Sequence, residues 1–421
     1  MLIVESALGI DLCSMSSSPS ACGVALGFNL ADDSERHLLV VREFEHHFGG
    51  PPKIWVRAPG RVDWMGSHTD YNQGFVLTMS IDRDTWIAAR PRADRAATIY
   101  SLNLPGGGPF SLDDIQHDAD SPWTDYVRGV AKVFQDAGYP LQGFDGLIHS
   151  TVPVGAGVSS SAALEVATAQ LFKALAGWEI DPVELARFCQ RAENEFVGMR
   201  CGILDQYSSV MGRAEQTMLL DCRSITSRAV PIPEGIELVL CDTRADRKLT
   251  GSGYASRRAD CEEGARLLGQ LDDRIKALRD ASPDLVHAHR QTLPETIFRR
   301  CLFVTQENQR VLDTAEALQA GDLPALAGFM ARSFQEARDL FEIVSPEMEQ
   351  MIQVISRAPG VIGARQAGAG FGGCIVAAVQ VDQSPAFVSH VVEDYASLTN
   401  LQAAAFPLRA SPGAGLLAPS V

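Results

Sequence analysis

The chain lacks the patterns that mark most metal or disulfide proteins. It has no C-x-x-C pair and no H-E-x-x-H motif. Its nine cysteines are scattered singly from Cys13 to Cys374, which fits reduced thiols in a cytoplasmic protein rather than a disulfide framework. No apolar run reaches about 18 residues, so nothing reads as a membrane span. The first residues, MLIVESALGIDLCSMSSSPSACGVAL, lack a basic segment, and Glu5 and Asp11 interrupt their apolar run. They do not read as a signal peptide, and residues 1–30 form an extension with no assignable role. Basic residues are scarce: 36 Lys and Arg face 52 Asp and Glu, a net charge of -16. That balance excludes an extended nucleic-acid groove, which needs a basic surface, but leaves room for a locally basic pocket. Internal repeats and low-complexity blocks are absent too.

What remains is a composition of 46% hydrophobic and 21% charged residues over 421 positions. That is a globular chain too long for one ordinary core, so two domains are expected. Helical periodicity runs over His37 to Phe48 and ends at Gly49 to Pro52. Strands are expected at Lys53 to Val56, Phe75 to Ile81, Trp86 to Arg90, Ala97 to Leu102 and Gly146 to Thr151. Helices are expected over Asp125 to Ala137 and Ser160 to Ala176. Another begins at Pro182, capped by Asp181 with Glu184 completing a capping-box-like arrangement. Beyond a strand at Glu237 to Asp242 the chain turns mostly helical: Tyr254 to Leu271, a hairpin of Leu302 to Ala320 with Leu323 to Phe341, and Glu347 to Ala358. A last strand is expected at Cys374 to Val379. The boundary falls near Arg213 to Thr226, dividing the chain into 31–220 and 221–421.

The stretch RAPGRVDWMGSHTDYNQGFVL, Arg57 to Leu77, crowds Arg61, Asp63, His68, Asp70 and Asn72 between glycines. Apolar residues on both sides suggest strand, polar turn, strand. Mixed polar groups on a turn held by buried strands suit a small polyhydroxylated ligand.

Val152 to Glu165 reads VPVGAGVSSSAALE. Gly155 and Gly157 let the backbone approach an anion closely. The hydroxyls of Ser159, Ser160 and Ser161 follow, and then a helix opens, whose free N–H groups and dipole suit phosphate. The loop is neither a Walker A nor a G-x-G-x-x-G fingerprint. One serine is enough to cap a helix, and here there are three after paired glycines. Further on, ENEFVGMRCGILDQY places Glu193 near a helix end and Asp205 after the Cys201–Gly202 turn. Two carboxylates so arranged could serve as metal ligand and base. ARQAGAGFGGC, Ala364 to Cys374, is a glycine-rich turn before a buried strand, suited to tight packing or to a lid.

Together the three segments resemble the GHMP small-molecule kinases, and the galactokinase branch most closely. GRVDWMGSHTDYNQGFVL resembles the sugar signature, PVGAGVSSSA the ATP-phosphate loop and GAGFGGC the third motif. AENEFVGMRCGILDQY, SGYASRRADCEE and the tail LRASPGAGLL also match, so the resemblance spans about residues 37 to 417. It implies an α/β (α+β) two-domain fold, with a ribosomal-S5-like N-terminal and a ferredoxin-like C-terminal domain and the site between them. It implies ATP, Mg²⁺ and phosphoryl transfer to the anomeric hydroxyl of a sugar. Asp205 matches the active-site aspartate, and Arg61 the arginine beside it. Ser161 and Glu193 match the Mg²⁺ ligands, and Gly155, Gly157, Ser159 and Ser160 the phosphate cradle. His68, Asp70, Gly202 and Tyr254 match the sugar site, and Gly370 and Gly372 lie in the motif that closes it.

Three departures stand out. Ser67 occupies the position of the family's glutamate, which contacts the sugar C6 hydroxyl, so galactose, galacturonate and L-arabinose all remain open as substrates. Asp63 and Trp64 stand where asparagine and a smaller apolar residue are usual. Arg244, Arg247 and Lys248 precede Tyr254 and would favour an anionic sugar if they faced the pocket. A non-catalytic sugar sensor on the same fold is the alternative class, but the intact Ser159 to Ala162, Glu193 and Asp205 favour an enzyme. The expected partner is a small sugar, not nucleic acid or membrane, and monomer and homo-oligomer are equally open.

Overall fold

The structure is a computed structural model that describes residues 33–245 and 250–417; the N-terminal extension lies outside the described residues. A helix, Asp33–Phe48, leads into an eight-stranded sheet. Its strands are β1 (Ile54–Met65), β2 (Phe75–Pro91), β3 (Ala96–Ser101), β4 (Gly107–Ser111), β5 (Phe144–Ser150), β6 (Gln216–Asp221), β7 (Thr226–Pro231) and, from the far end of the chain, β12 (Gly415–Leu416). The order is β12-β1-β2-β5-β3-β4, with β6 also on β2 and β7 on β6. A second, four-stranded antiparallel sheet has β8 (Ile236–Asp242), β9 (Val361–Gln366), β10 (Cys374–Gln380) and β11 (Ala404–Leu408) in the order β11-β8-β10-β9.

β6 and β7 both belong to the larger sheet, so the chain enters the smaller sheet only after Pro231. The mixed α/β architecture is as expected.

The strands differ from the sequence reading in one instructive way. Phe75 to Ile81 and Trp86 to Arg90 are not separate: β2 is a single 17-residue strand. The Asp82–Arg83–Asp84 run resembles a solvated turn, yet Asp84 is buried at 8% exposure and bonded to Arg36 at 2.5 Å and Arg57 at 2.7 Å. Paired with arginines, it does not need the solvent a turn would offer. The strand keeps β1 on one side, from Leu77 to Ala89, and changes partner on the other, where Phe75 to Thr78 pair with β6 and Thr85 to Pro91 with β5.

Two helices of the larger half position the site. The helix Ser160–Ala176 packs against β1 and β2 and buries Ala163, Val166, Ala167 and Phe172. The short helix Leu204–Met211 lies beside it. The helix Pro182–Arg191 starts as expected, with the Asp181 carboxylate accepting from the N–H groups of Val183 and Glu184. Trp64 is fully buried with Val62, Met79 and Leu240, so it fills the core rather than the pocket. Among the described residues no helix is long and apolar enough to cross a membrane.

Candidate active site

A cavity of about 530 Å³ opens where the polar turn, the serine loop and the third glycine motif meet. All the residues matched to catalytic, sugar, phosphate and metal roles line it, Arg61, Ser67, His68, Asp70, Gly155, Gly157, Ser159, Ser160, Ser161, Glu193, Gly202, Asp205 and Tyr254, whereas Gly370 and Gly372 do not. They come from chain segments far apart in sequence.

Arg61 is the hub. It lies within β1 rather than in the turn. Its Nε and Nη2 donate to Asp205 Oδ1 at 2.9 and 2.7 Å, and its Nη1 donates to the Gly157 carbonyl at 2.7 Å. One guanidinium thus joins the sugar-signature strand, the serine loop and the acidic helix. Asp63, 1% exposed, lies 3.5 Å from Arg61 Nε. Burial alone would lower the arginine's pKa, but Asp205 and Asp63 outweigh it and the net shift is upward. The guanidinium is therefore a permanent cation among three acids.

The second end of the turn is set by neutral contacts. Burial pushes His68 down to about 4, so it is neutral at pH 7. Its Nε2 lies 3.0 Å from the Ala369 carbonyl and its Nδ1 2.8 Å from the Tyr71 hydroxyl. A carbonyl only accepts, so Nε2 carries the proton and Nδ1 accepts from Tyr71. Tyr254 packs against His68 with ring centroids 5.4 Å apart. Burial, reinforced by Asp205, raises Asp70 to about 6. Gly202 is required beside it: a Cβ there would sit 1.9 Å from Asp70 Oδ2.

The serine loop does not use its first hydroxyl to cap the helix it opens. Ser159 has φ of 64°, a left-handed conformation that a non-glycine residue rarely adopts. Its side chain makes no cap hydrogen bond to the helix, and its buried Oγ has no hydrogen-bond partner. Such a group is costly unless a ligand completes it. Glu193 sits in a π-helical turn, Ala192–Val197, of the kind that often marks functional sites. Burial, then Asp205, raises its carboxyl to about 7, while hydrogen bonds from Cys201, Ser161 and Gln206 act against that. The Gln206 amide also donates to Glu165, bridging the two acids at 2.7 and 2.9 Å.

Ser67 lines the cavity but is engaged from behind. Its hydroxyl donates to the Gly368 carbonyl at 3.2 Å and accepts from Arg365 Nη2 at 2.8 Å. The same Nη2 donates to Glu307 Oε1 at 2.9 Å, and both Arg365 and Glu307 have side chains with no exposure. Arg310 is the second cation on Glu307 and also meets Glu336. The Ser67 contacts with Arg365 and Glu307 were not legible in the sequence. The third motif reaches the cavity through Gly368 and Ala369 rather than Gly370.

A second wing of the same cavity is more apolar, lined by Ser101, Asn103, Leu104, Trp123, Tyr126 and Ile148. None of these was singled out from the sequence, because none belongs to a short motif. Arg244 does not line the cavity; its Nε lies 3.3 Å from Asp242. Arg247 and Lys248 lie outside the described residues.

The chain matches three family descriptions: the galactokinase galactose-binding signature over residues 42–91, the GHMP kinases N terminal domain over 125–213 and the GHMP kinases C terminal over 314–397. It is 43% identical over 372 residues to the galactokinase of Roseiflexus sp. (strain RS-1), covering 88% of this chain and 95% of that one. It is 41% identical over 375 residues to the galactokinase of Chloroflexus aggregans, covering 89% and 95%. A crystal structure of Lactococcus lactis galactokinase complexed with galactose superimposes with a TM-score of 0.86 at 30% identity, covering 90% of this chain and 99% of that one. The sugar-signature match encloses Arg61 to Asp70, and the N-terminal match encloses the serine loop, Glu193 and Asp205, so the matched segments carry the same residues that converge on the cavity. The chain therefore belongs to the GHMP kinase family, on its galactokinase branch, and is a phosphotransferase of the kinase type.

Proposed function

We propose that the chain transfers the γ-phosphoryl group of ATP to the anomeric hydroxyl of D-galactose. One observation carries the reading: the fork of Arg61, on Asp205 with one face and on the Gly157 carbonyl with the other. It fixes the acid of the sugar side against the loop of the phosphate side, as in-line transfer requires.

In that reaction the O1 hydroxyl gives its proton to Asp205 as O1 bonds to phosphorus. The bond from the γ-phosphorus to the bridging oxygen breaks, and ADP leaves with the electron pair. Arg61 orients the Asp205 carboxylate through two hydrogen bonds and steadies charge that moves between the two oxygens. The positive φ of Gly155 and Gly157 and the orphan Ser159 Oγ fit a polyphosphate, and the apolar wing fits the nucleoside. Ser161 and Glu193, in hydrogen-bond contact, fit Mg²⁺, a hard cation that takes few protein oxygens. When bound, the ion would neutralise phosphate charge. Asp70 accepts from ring hydroxyls, and His68 and Tyr254 wall the sugar.

The choice of sugar rests on Ser67. Its hydroxyl spends its proton on Gly368 and one lone pair on Arg365. A second lone pair is left. A neutral hydroxymethyl group can donate to that lone pair, whereas a carboxylate cannot. Arg365 offers no spare charge to a uronate, because Glu307 already neutralises it. The similarity to proteins named galactokinase points the same way. The test is ADP formation and ³¹P detection of sugar 1-phosphate with Mg²⁺-ATP and D-galactose, D-galacturonate or L-arabinose. D-galactose should give the highest kcat/KM. A higher value for galacturonate would overturn the sugar assignment, and no product with any of the three would overturn the transfer itself.

A further inference from the structure

The tail segment Arg409 to Leu417 was matched to the family in sequence, yet it lines no part of the cavity. It is bound on three sides to the elements that carry Arg61 and Asp205. On the helix Leu204–Met211 it acts as an external cap. The Ala414 N–H donates to the Ser209 carbonyl at 2.9 Å, and the Gly413 N–H to the Gly212 carbonyl at 2.8 Å. The Ser209 carbonyl is one of those a helix end leaves without an internal partner, and Gly212 is the residue that ends the helix. At eight residues this helix is too short to be stable on its own. Asp205 stands in its first turn.

On β2 the tail pairs with the residue opposite Arg61. Ser80 is the cross-strand partner of Arg61. Its carbonyl accepts from Ser411 N–H at 3.0 Å, and its Oγ donates to the Ser411 carbonyl at 2.6 Å. On β1 the Arg57 guanidinium donates to Ser411 Oγ at 2.8 Å and to the Pro412 carbonyl at 3.0 Å. β12 then pairs with Val56 and Arg57. A further tie closes the triangle: Ser209 Oγ donates to the Pro59 carbonyl at 2.7 Å, two residues before Arg61. Gly413 leaves no slack, since a Cβ there would lie 2.1 Å from the Val210 carbonyl.

We propose that residues 409–417 are a strap that positions the Arg61–Asp205 pair, holding the acidic helix against β1 and β2 from outside the cavity. Gly413 and Ser411 are its positioning residues. The inference rests on Arg61 and Asp205 acting together in transfer. Its structural half, the capping of the helix, can be read without any activity.

The test is Gly413→Ala in the full chain. Gly413 is not among the glycines of positive φ, so the added methyl acts through its contact with Val210. The expected result is a kcat lowered roughly tenfold to hundredfold, because displacement of about 1 Å has that cost. KM for galactose and ATP should stay within about threefold, since the residues proposed to bind them are untouched. Amide hydrogen exchange over residues 204–212 should rise while that of β5 stays unchanged. Ser411→Ala should lower kcat about threefold to tenfold through the lost bond to a charged partner, and Ser411→Thr should restore it. Leu416→Ala, at a side chain 70% exposed, should have no effect. An unchanged kcat in folded Gly413→Ala overturns the strap, as does a kcat loss without faster exchange over 204–212. If Gly413→Ala does not fold, equal activities of Ser411→Ala and Ser411→Thr overturn it. Faster exchange in a protein whose wild type phosphorylates no sugar would sink the proposed function and leave the strap standing.

Discussion

Gly202→Ala separates sugar recognition from everything else the cavity does. The added Cβ would lie 1.9 Å from Asp70 Oδ2, 2.5 Å from its Cγ and 3.1 Å from its Cβ. Gly202 is outside the left-handed region, so alanine fits its backbone and the collision is purely lateral. Asp70 cannot retreat as a unit, because its turn is tied by Asn72 N–H to the Thr69 carbonyl and by Gln73 N–H to the Asp70 carbonyl. The carboxylate must therefore rotate out of its present position. A hydrogen bond to a charged acceptor contributes about 1.5–3 kcal/mol, so losing one raises the galactose dissociation constant roughly tenfold to a hundredfold. KM for ATP should change less than about twofold, since nothing in the serine loop moves. Equilibrium titration with galactose, alongside initial rates at varied galactose and varied ATP, reads both. Galactose affinity within about twofold of wild type would refute the role given to Asp70. Equal losses for sugar and nucleotide would refute the locality of the argument.

Four further outcomes are expected. Because Asp70 protonates near pH 6 in the folded protein, and a protonated carboxyl is the weaker acceptor, kcat/KM for galactose should fall as pH drops through about 6, and Asp70→Asn should flatten that limb of the pH–rate profile. Asp205→Ala should lower kcat about 10²- to 10⁴-fold while ATP affinity, measured by titration, stays within about threefold. Ser67→Ala should raise KM for D-galactose about twofold to tenfold through one neutral hydrogen bond but leave L-arabinose, which has no C6, unchanged in the same assay. Glu307→Gln leaves two buried arginines short of their shared anion and should cost about 3–5 kcal/mol of stability, read as a lower urea midpoint.

The parts of the site that could be read in the sequence are those that lie close together along the chain. Arg61, His68 and Asp70 fall on one strand and its following turn, and Ser159 to Ser161 open one helix. Spacing read them as a polar turn and an anion loop, and the resemblance of these short runs to the family supplied their roles. The apolar wing was invisible for the opposite reason. Trp123 in a short helical turn, Asn103 in the loop after β3 and Ile148 on β5 are single residues that only the folded chain brings to one wall. The expected break between Phe75–Ile81 and Trp86–Arg90 is absent because Asp84, between them, is paired inside the fold rather than solvated. Arg36, on the N-terminal helix, and Arg57, on β1, are its partners, and only the folded topology brings both to Asp84.

Ser67 shows how such distant partners change the meaning of a local substitution. From the sequence, serine in place of glutamate reads as the loss of a charge from the sugar pocket. In the fold, its hydroxyl meets a guanidinium from 298 residues further along the chain, and that guanidinium already has a carboxylate in Glu307. The negative charge is therefore still next to the pocket, one layer deeper, and Arg365 is not left uncompensated. A glutamate at 67 would compete with Glu307 for the same Nη2 rather than fill an empty place. Its effect on sugar preference would then run through the Arg365–Glu307 pair as well as through direct contact with C6, and the double variant Ser67→Glu with Glu307→Gln should be less unstable than Glu307→Gln alone.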